Sequence, residues 1–175
     1  MTGRDAALAQ FDLILALAEL HIDALREDDF LWAPTELHWT VQPGENGLWY
    51  PDWADTEPDP LPVPTIAWLT WQMTWWWSTA LDDLAELPHR RREDVTWPGT
   101  GAAAVAEIRS LAARWRDAVA ELSEADLQRP SGFPWPADAG KTVTDSVFWV
   151  NVELTKNISE IGQLRLLRAA LIQRR

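Results

Sequence analysis

Residues 65–86 read TIAWLTWQMTWWWSTALDDLAE. Wound at 3.6 residues per turn, this run places apolar side chains on almost every face, which predicts a helix buried nearly all round. Pro64 and Thr65 read as start signals and Pro88 as a stop. Three further stretches share the helical period. Residues 5–27 carry Leu8, Phe11, Leu15, Ala18 and Ile22 on one stripe, with Asp5 placed to meet the positive end of the helix dipole. Residues 101–123 carry Val105, Ile108, Leu111, Ala112, Trp115, Val119 and Leu122, and residues 142–173 form the longest candidate. No segment shows the two-residue alternation of a half-exposed strand. The expectation is an all-α fold, a four-helix bundle spanning residues 1–175 as a single domain.

Residues 28–64 stand apart. Pro34, Pro43, Gly44, Gly47, Pro51, Pro58, Pro60, Pro62 and Pro64 forbid a continuous helix, while Trp32, Trp39, Trp49, Tyr50 and Trp53 argue against disorder. We read a long, ordered Trp/Pro-rich flap between the first two helices, its rings packed onto them. A loop of this length in a small protein is usually functional.

Composition narrows the function. Lys plus Arg is 15 and Asp plus Glu is 27, a net charge of −12 over 175 residues. Such a charge repels phosphate backbones and anionic lipid surfaces, so neither nucleic acid nor membrane is expected as a partner. Arg90, Arg91 and Arg92 read as a solvated cluster at a helix end. Cysteine is absent, which removes a thiol nucleophile and thiolate ligands and fits a cytoplasmic protein. The apolar run Phe11–Leu20 is broken by Asp12 and Glu19 and reads as neither signal peptide nor membrane span. Tryptophan is in excess, 13 against one tyrosine and four phenylalanines. Rings of that size line a pocket, fill wide gaps between helices, or form an interface; a homodimer is expected on this ground.

Two phrases go further: TIAWLTWQMTWWW at 65–77 and FWVNVELTKNISEIGQLRLLR at 148–168. Together with WTV at 39–41 and GLWYPDW at 47–53, they resemble the DinB superfamily over nearly the whole chain. The likeness is greatest to an actinobacterial branch with a TIAW-like second helix and a last helix resembling ELxHHxxEIGxLR. The resemblance implies a bundle of the DinB type, a divalent metal held by one histidine of the second helix and two of the fourth, and transfer of a low-molecular-weight thiol such as mycothiol or bacillithiol. Carried over position by position, the ligands are replaced: Gln72 stands at the second-helix position, Glu153 and Asn157 at the fourth-helix pair, and Lys156 at a further histidine position. Glu160, Ile161 and Gly162 keep the EIG that follows. His21, His38 and His89 match none of the ligand positions. No cofactor and no transition metal is therefore expected; an oxygen-preferring ion such as Mg²⁺ or Ca²⁺ would suit the remaining donors better.

Glu153, Asn157 and Glu160 fall at i, i+4 and i+7, a stripe that Trp149 and Leu164 extend. Gln72 shares its stripe with Trp68, Trp75 and Trp76. Facing stripes would enclose a Trp-lined cavity for a small, partly apolar molecule, with Glu153 as general acid or base and His38 dipping into the mouth. Two other readings stay open at this point. In one, the amides and Glu153 close a site vacated by metal, giving a non-catalytic interaction module; in the other, the oxygen donors hold an unconventional metal for a thiol transferase.

Overall fold

The computed structural model describes residues 2–136 and 138–173. Thr2 opens α1 (Gly3–Ile22) through a capping box: its hydroxyl accepts from the Asp5 backbone N–H at 3.1 Å, and the Asp5 carboxylate accepts from the Thr2 N–H at 2.9 Å. These bonds satisfy donors that a helix start leaves unpaired. The expected 5–27 span is corrected at both ends. The chain stops at Ile22 and restarts as the short α2 (Glu27–Phe30), because the Asp29 carboxylate takes the Arg26 N–H at 2.7 Å and creates a new helix start.

The three other long helices lie close to expectation. Thr65 caps α3 (Ile66–Leu84) by accepting the Trp68 N–H at 3.2 Å, and Thr100 caps α4 (Gly101–Glu121) by accepting the Ala103 N–H at 3.2 Å. A single turn, α5 (Glu124–Leu127), precedes α6 (Val143–Ile172). The Thr142 N–H and hydroxyl both donate to Asp145 at the start of α6; the backbone N–H first, then nearby Lys141, hold that carboxyl below the ordinary aspartate range.

Helix α1 packs on α4 and α6, and α3 packs on the same two helices. The buried side chains form one contiguous cluster, with Phe11, Trp71, Trp77, Leu111, Trp115 and Leu154 among its largest members. Trp68, Trp71, Trp76, Trp77, Trp97 and Trp115 are all buried, so much of the tryptophan excess is core. Buried indoles keep a partner for the N–H where one is in reach: Trp71 donates to the Val95 carbonyl at 2.8 Å and Trp97 to the Thr70 hydroxyl at 3.0 Å. No helix among the described residues is long and apolar enough to cross a membrane.

The expectation of no strand is overturned in the flap. Strand β1 (His38–Trp39) pairs in parallel with β4 (Val63–Pro64), and β2 (Val41–Pro43) pairs antiparallel with β3 (Trp49–Pro51). Each is two or three residues long, too short for alternation to register in the sequence. Three of the four end on a proline, which has no N–H for a further rung. Gly47, at φ 77°, supplies the left-handed residue that closes the β2–β3 turn. Thr40 anchors the ladder to α3: its N–H donates to Asp52 at 2.8 Å and its hydroxyl accepts from Thr65 at 3.1 Å.

Candidate functional site

Helices α3 and α6 meet in antiparallel order, Gln72 opposite Asn157 and Trp76 against Trp149. The joint between them is a polar chain. The Trp76 indole N–H donates to Asn157 Oδ1 at 3.1 Å. Indole only donates, so the atom facing it is the amide oxygen, and the orientation of the Asn157 amide follows. Its Nδ2 then points the other way and donates to Gln72 Oε1 and to Glu160 Oε2, each at 3.2 Å. Asn157 is fully buried; Gln72 and Glu160 are half-buried and lie toward the flap.

A cavity of about 440 Å³ opens there. Trp68 and Gln72 of α3 form one wall, Lys156 and Glu160 of α6 another, and Trp39 and Trp53 of the flap the third. The three indoles are nearly parallel, with centroids 5.2 Å apart for Trp39–Trp68, 6.2 Å for Trp39–Trp53 and 6.4 Å for Trp53–Trp68. Trp68 fixes the flap by donating to the Asp52 carbonyl at 2.8 Å. The Arg92 guanidinium covers Trp53, 4.1 Å from its ring centre, and also pairs with Asp55 and Glu93. The arginine run is thus engaged rather than merely solvated: Arg90 grips Asp82 and Arg91 grips Asp94, and each contact raises the guanidinium pKa.

Of the residues singled out in the sequence, Trp68, Gln72 and Glu160 line this cavity and Asn157 lies directly behind them. Trp75 backs it, stacked on Trp71 and meeting Trp53 edge-on. Trp76 and Trp149 pack beyond Asn157, where Phe133 joins them, and do not reach the opening. Two positions need correction. Glu153 is not enclosed with Gln72: its side chain is 19% exposed and its carboxylate pairs with Lys156 Nζ at 2.6 Å. It lies seven residues from Glu160, about 10 Å along the helix axis, toward the end that Trp149 fills. His38 does not dip into the cavity. Its Nδ1 lies 3.0 and 3.1 Å from the carbonyls of Thr35 and Glu36, so the ring folds onto its own loop.

Trp39, Trp53, Asp55, Glu57 and Lys156 are among the lining residues that sequence reasoning left out of the site. The GLWYPDW phrase held the signal for Trp53, but nothing local says which helix a flap ring will meet. His21 has a packing role: its imidazole lies over Gly162, where an added Cβ would come within 2.8 Å of the ring. Among the described residues, no three His, Cys, Asp or Glu side chains gather in metal-binding geometry.

A family model for the DinB superfamily matches residues 10–161. No curated protein and no solved structure matches the chain.

Proposed function

The chain belongs to the DinB superfamily, and from that premise we propose that it is a four-helix bundle of the DinB type that handles a small, partly apolar molecule without a metal, in the Trp-lined cavity between α3, α6 and the flap. The observation that carries this reading is the Asn157 amide. At a position where the family resemblance implies a metal-binding imidazole, the group turned toward Gln72 and Glu160 is an NH₂. A cation needs lone pairs there, and this donor would oppose it. The oxygen of the same amide is taken by Trp76, and Glu153 is engaged by Lys156. The residues do not fit a divalent ion. A low-molecular-weight thiol such as mycothiol belongs in this reading as a cavity ligand, not as a nucleophile activated by metal.

Elemental analysis of protein purified without chelator is expected to find far less than one zinc or nickel per chain. About one equivalent would sink the proposal. In the converse test, replacing Gln72, Glu153 and Asn157 together by histidine creates zinc binding where the parent has none.

One observation favours a second role, self-association. Leu13, Leu17 and Leu20 form an exposed stripe on α1, at 61%, 53% and 68% exposure. A homodimer built on leucine rather than tryptophan is the corresponding proposal, and a light-scattering mass near one 19.9 kDa chain at micromolar concentration would remove it.

A further inference from the structure

We infer that the cavity takes an organic cation, a protonated amine carried on a flat apolar body, with Glu160 as its counter-ion. The inference rests on the reading that the cavity binds a small molecule, and it adds the charge and shape of that molecule.

The charges around the opening do not cancel. Among the described residues, Asp55, Glu57 and Glu160 line it against a single cation, Lys156. Lys156 is paired with Glu153 at 2.6 Å, a carboxylate outside the lining that offsets its charge. Asp55 lies 3.5 Å from Arg92. Among the described residues, no lysine, arginine or histidine pairs with Glu57 or Glu160. Glu57 is exposed and solvated, whereas Glu160 is half-buried and, among the described residues, has one partner, the Asn157 amide on Oε2. Its other oxygen accepts no hydrogen bond from the described residues. A half-buried carboxylate with a free oxygen gains most from a charged N–H donor.

The walls favour the same guest. Indole faces attract cations through the ring quadrupole, within about 6 Å of the ring centre. The fold already uses that attraction once, where Arg92 sits on Trp53. The three near-parallel indoles offer flat apolar surface beside Glu160, which suits an aromatic or planar body. A volume of about 440 Å³ holds one small molecule of that kind. An anionic guest would face Glu160, Asp55 and Glu57 with no free cation to meet it.

The test uses 2-phenylethylammonium, its neutral analogue 2-phenylethanol and the anion 3-phenylpropionate, each titrated calorimetrically into the full chain at about 0.15 M salt, where long-range fields are damped. The ammonium ion is expected to bind about tenfold more tightly than the alcohol, with the anion weakest. Glu160→Gln keeps the Asn157 contact and is expected to lower ammonium affinity about tenfold while leaving the alcohol within about twofold. Lys156→Met works in the opposite direction. Removing the one lining cation tightens the ammonium ion about threefold, a gain that a folding defect does not produce. If the alcohol or the anion binds as tightly as the ammonium ion, or Glu160→Gln leaves the ammonium affinity unchanged, the cation inference falls while the cavity reading stands. If none of the three binds, both fall.

Discussion

The same two helices, α3 and α6, enclose polar groups at both ends, and the two ends are settled differently. At the far end, Asp82 and Asp83 of α3 are fully engaged. Arg90 holds Asp82 with two bonds of 2.7 and 2.8 Å. Asp83 accepts from the Ser131 hydroxyl at 2.5 Å and the Gly132 N–H at 3.2 Å, and lies 2.8 Å from His89 Nε2. Ser146 of α6 closes the group through Ser131 at 2.7 Å. At the flap end, Glu160 has the Asn157 amide and no cation. Both clusters contain Asp or Glu beside hydroxyls or amides, so composition does not separate them. Partner count does: a polar group withdrawn from water needs replacement bonds, and where the protein leaves one out a ligand can supply it.

That contrast predicts unequal mutational costs. Asp83→Ala strips partners from Ser131, Gly132 and His89 at once and is expected to lose about 3 kcal/mol of unfolding free energy in a denaturant titration. Glu160→Ala leaves Asn157 still donating to Gln72, so its cost is expected to stay within about 0.5 kcal/mol. Equal losses at the two sites would erase the distinction between a closed end and an open one.

Asn157 sits on the boundary and sharpens it. Asn157→Ala leaves the buried Trp76 N–H with no acceptor, for an expected loss of about 2 kcal/mol. Asn157→Gln, with the same groups on a longer arm, overfills a site already 0% exposed and recovers little of that loss. A cost near zero for Asn157→Ala would mean that the Trp76–Asn157 bond does not fasten the helices. Gly162→Ala probes the α1-facing side of α6. The added methyl meets the His21 ring, and the helix-propensity gain of alanine offsets part of the clash, leaving a net loss of about 1 kcal/mol. His21→Ala in the same chain is expected to recover it. Without that recovery, Gly162 has another role than making room for His21.

The helices were legible because each writes its period into neighbouring residues. The joint was half legible: Gln72 and Asn157 could be paired because both interrupt apolar stripes, and a polar residue on a buried stripe needs a partner. The cavity itself was not. Trp53 meets Trp68 across 15 residues of proline-punctuated chain, through a bond to the Asp52 carbonyl that no local pattern announces. Helical spacing also gives direction around the axis but does not say where along the axis a cavity lies. Glu153 and Glu160 share a face, and the space opens at Glu160 alone.

The smallest expected effect falls on the residue that the spacing alone made most prominent. Glu153 and Lys156 form an i, i+3 pair with side chains 19% and 47% exposed, and exposed pairs of this kind contribute little. Glu153→Gln should therefore change unfolding free energy by no more than about 0.5 kcal/mol in a denaturant titration. Its effect on the cavity is indirect but directional. With its partner neutral, Lys156 regains its full charge at the opening, and 2-phenylethylammonium is expected to bind about threefold more weakly, the mirror of the gain from Lys156→Met. In the double variant Glu153→Gln/Lys156→Met the affinity returns to that of the parent, because both charges of the pair are gone and the net charge at the opening is unchanged. If Glu153→Gln instead weakens 2-phenylethanol equally, or the double variant binds the ammonium ion more weakly than the parent, then Glu153 touches the ligand itself and the site reaches further toward Trp149 than the lining residues indicate.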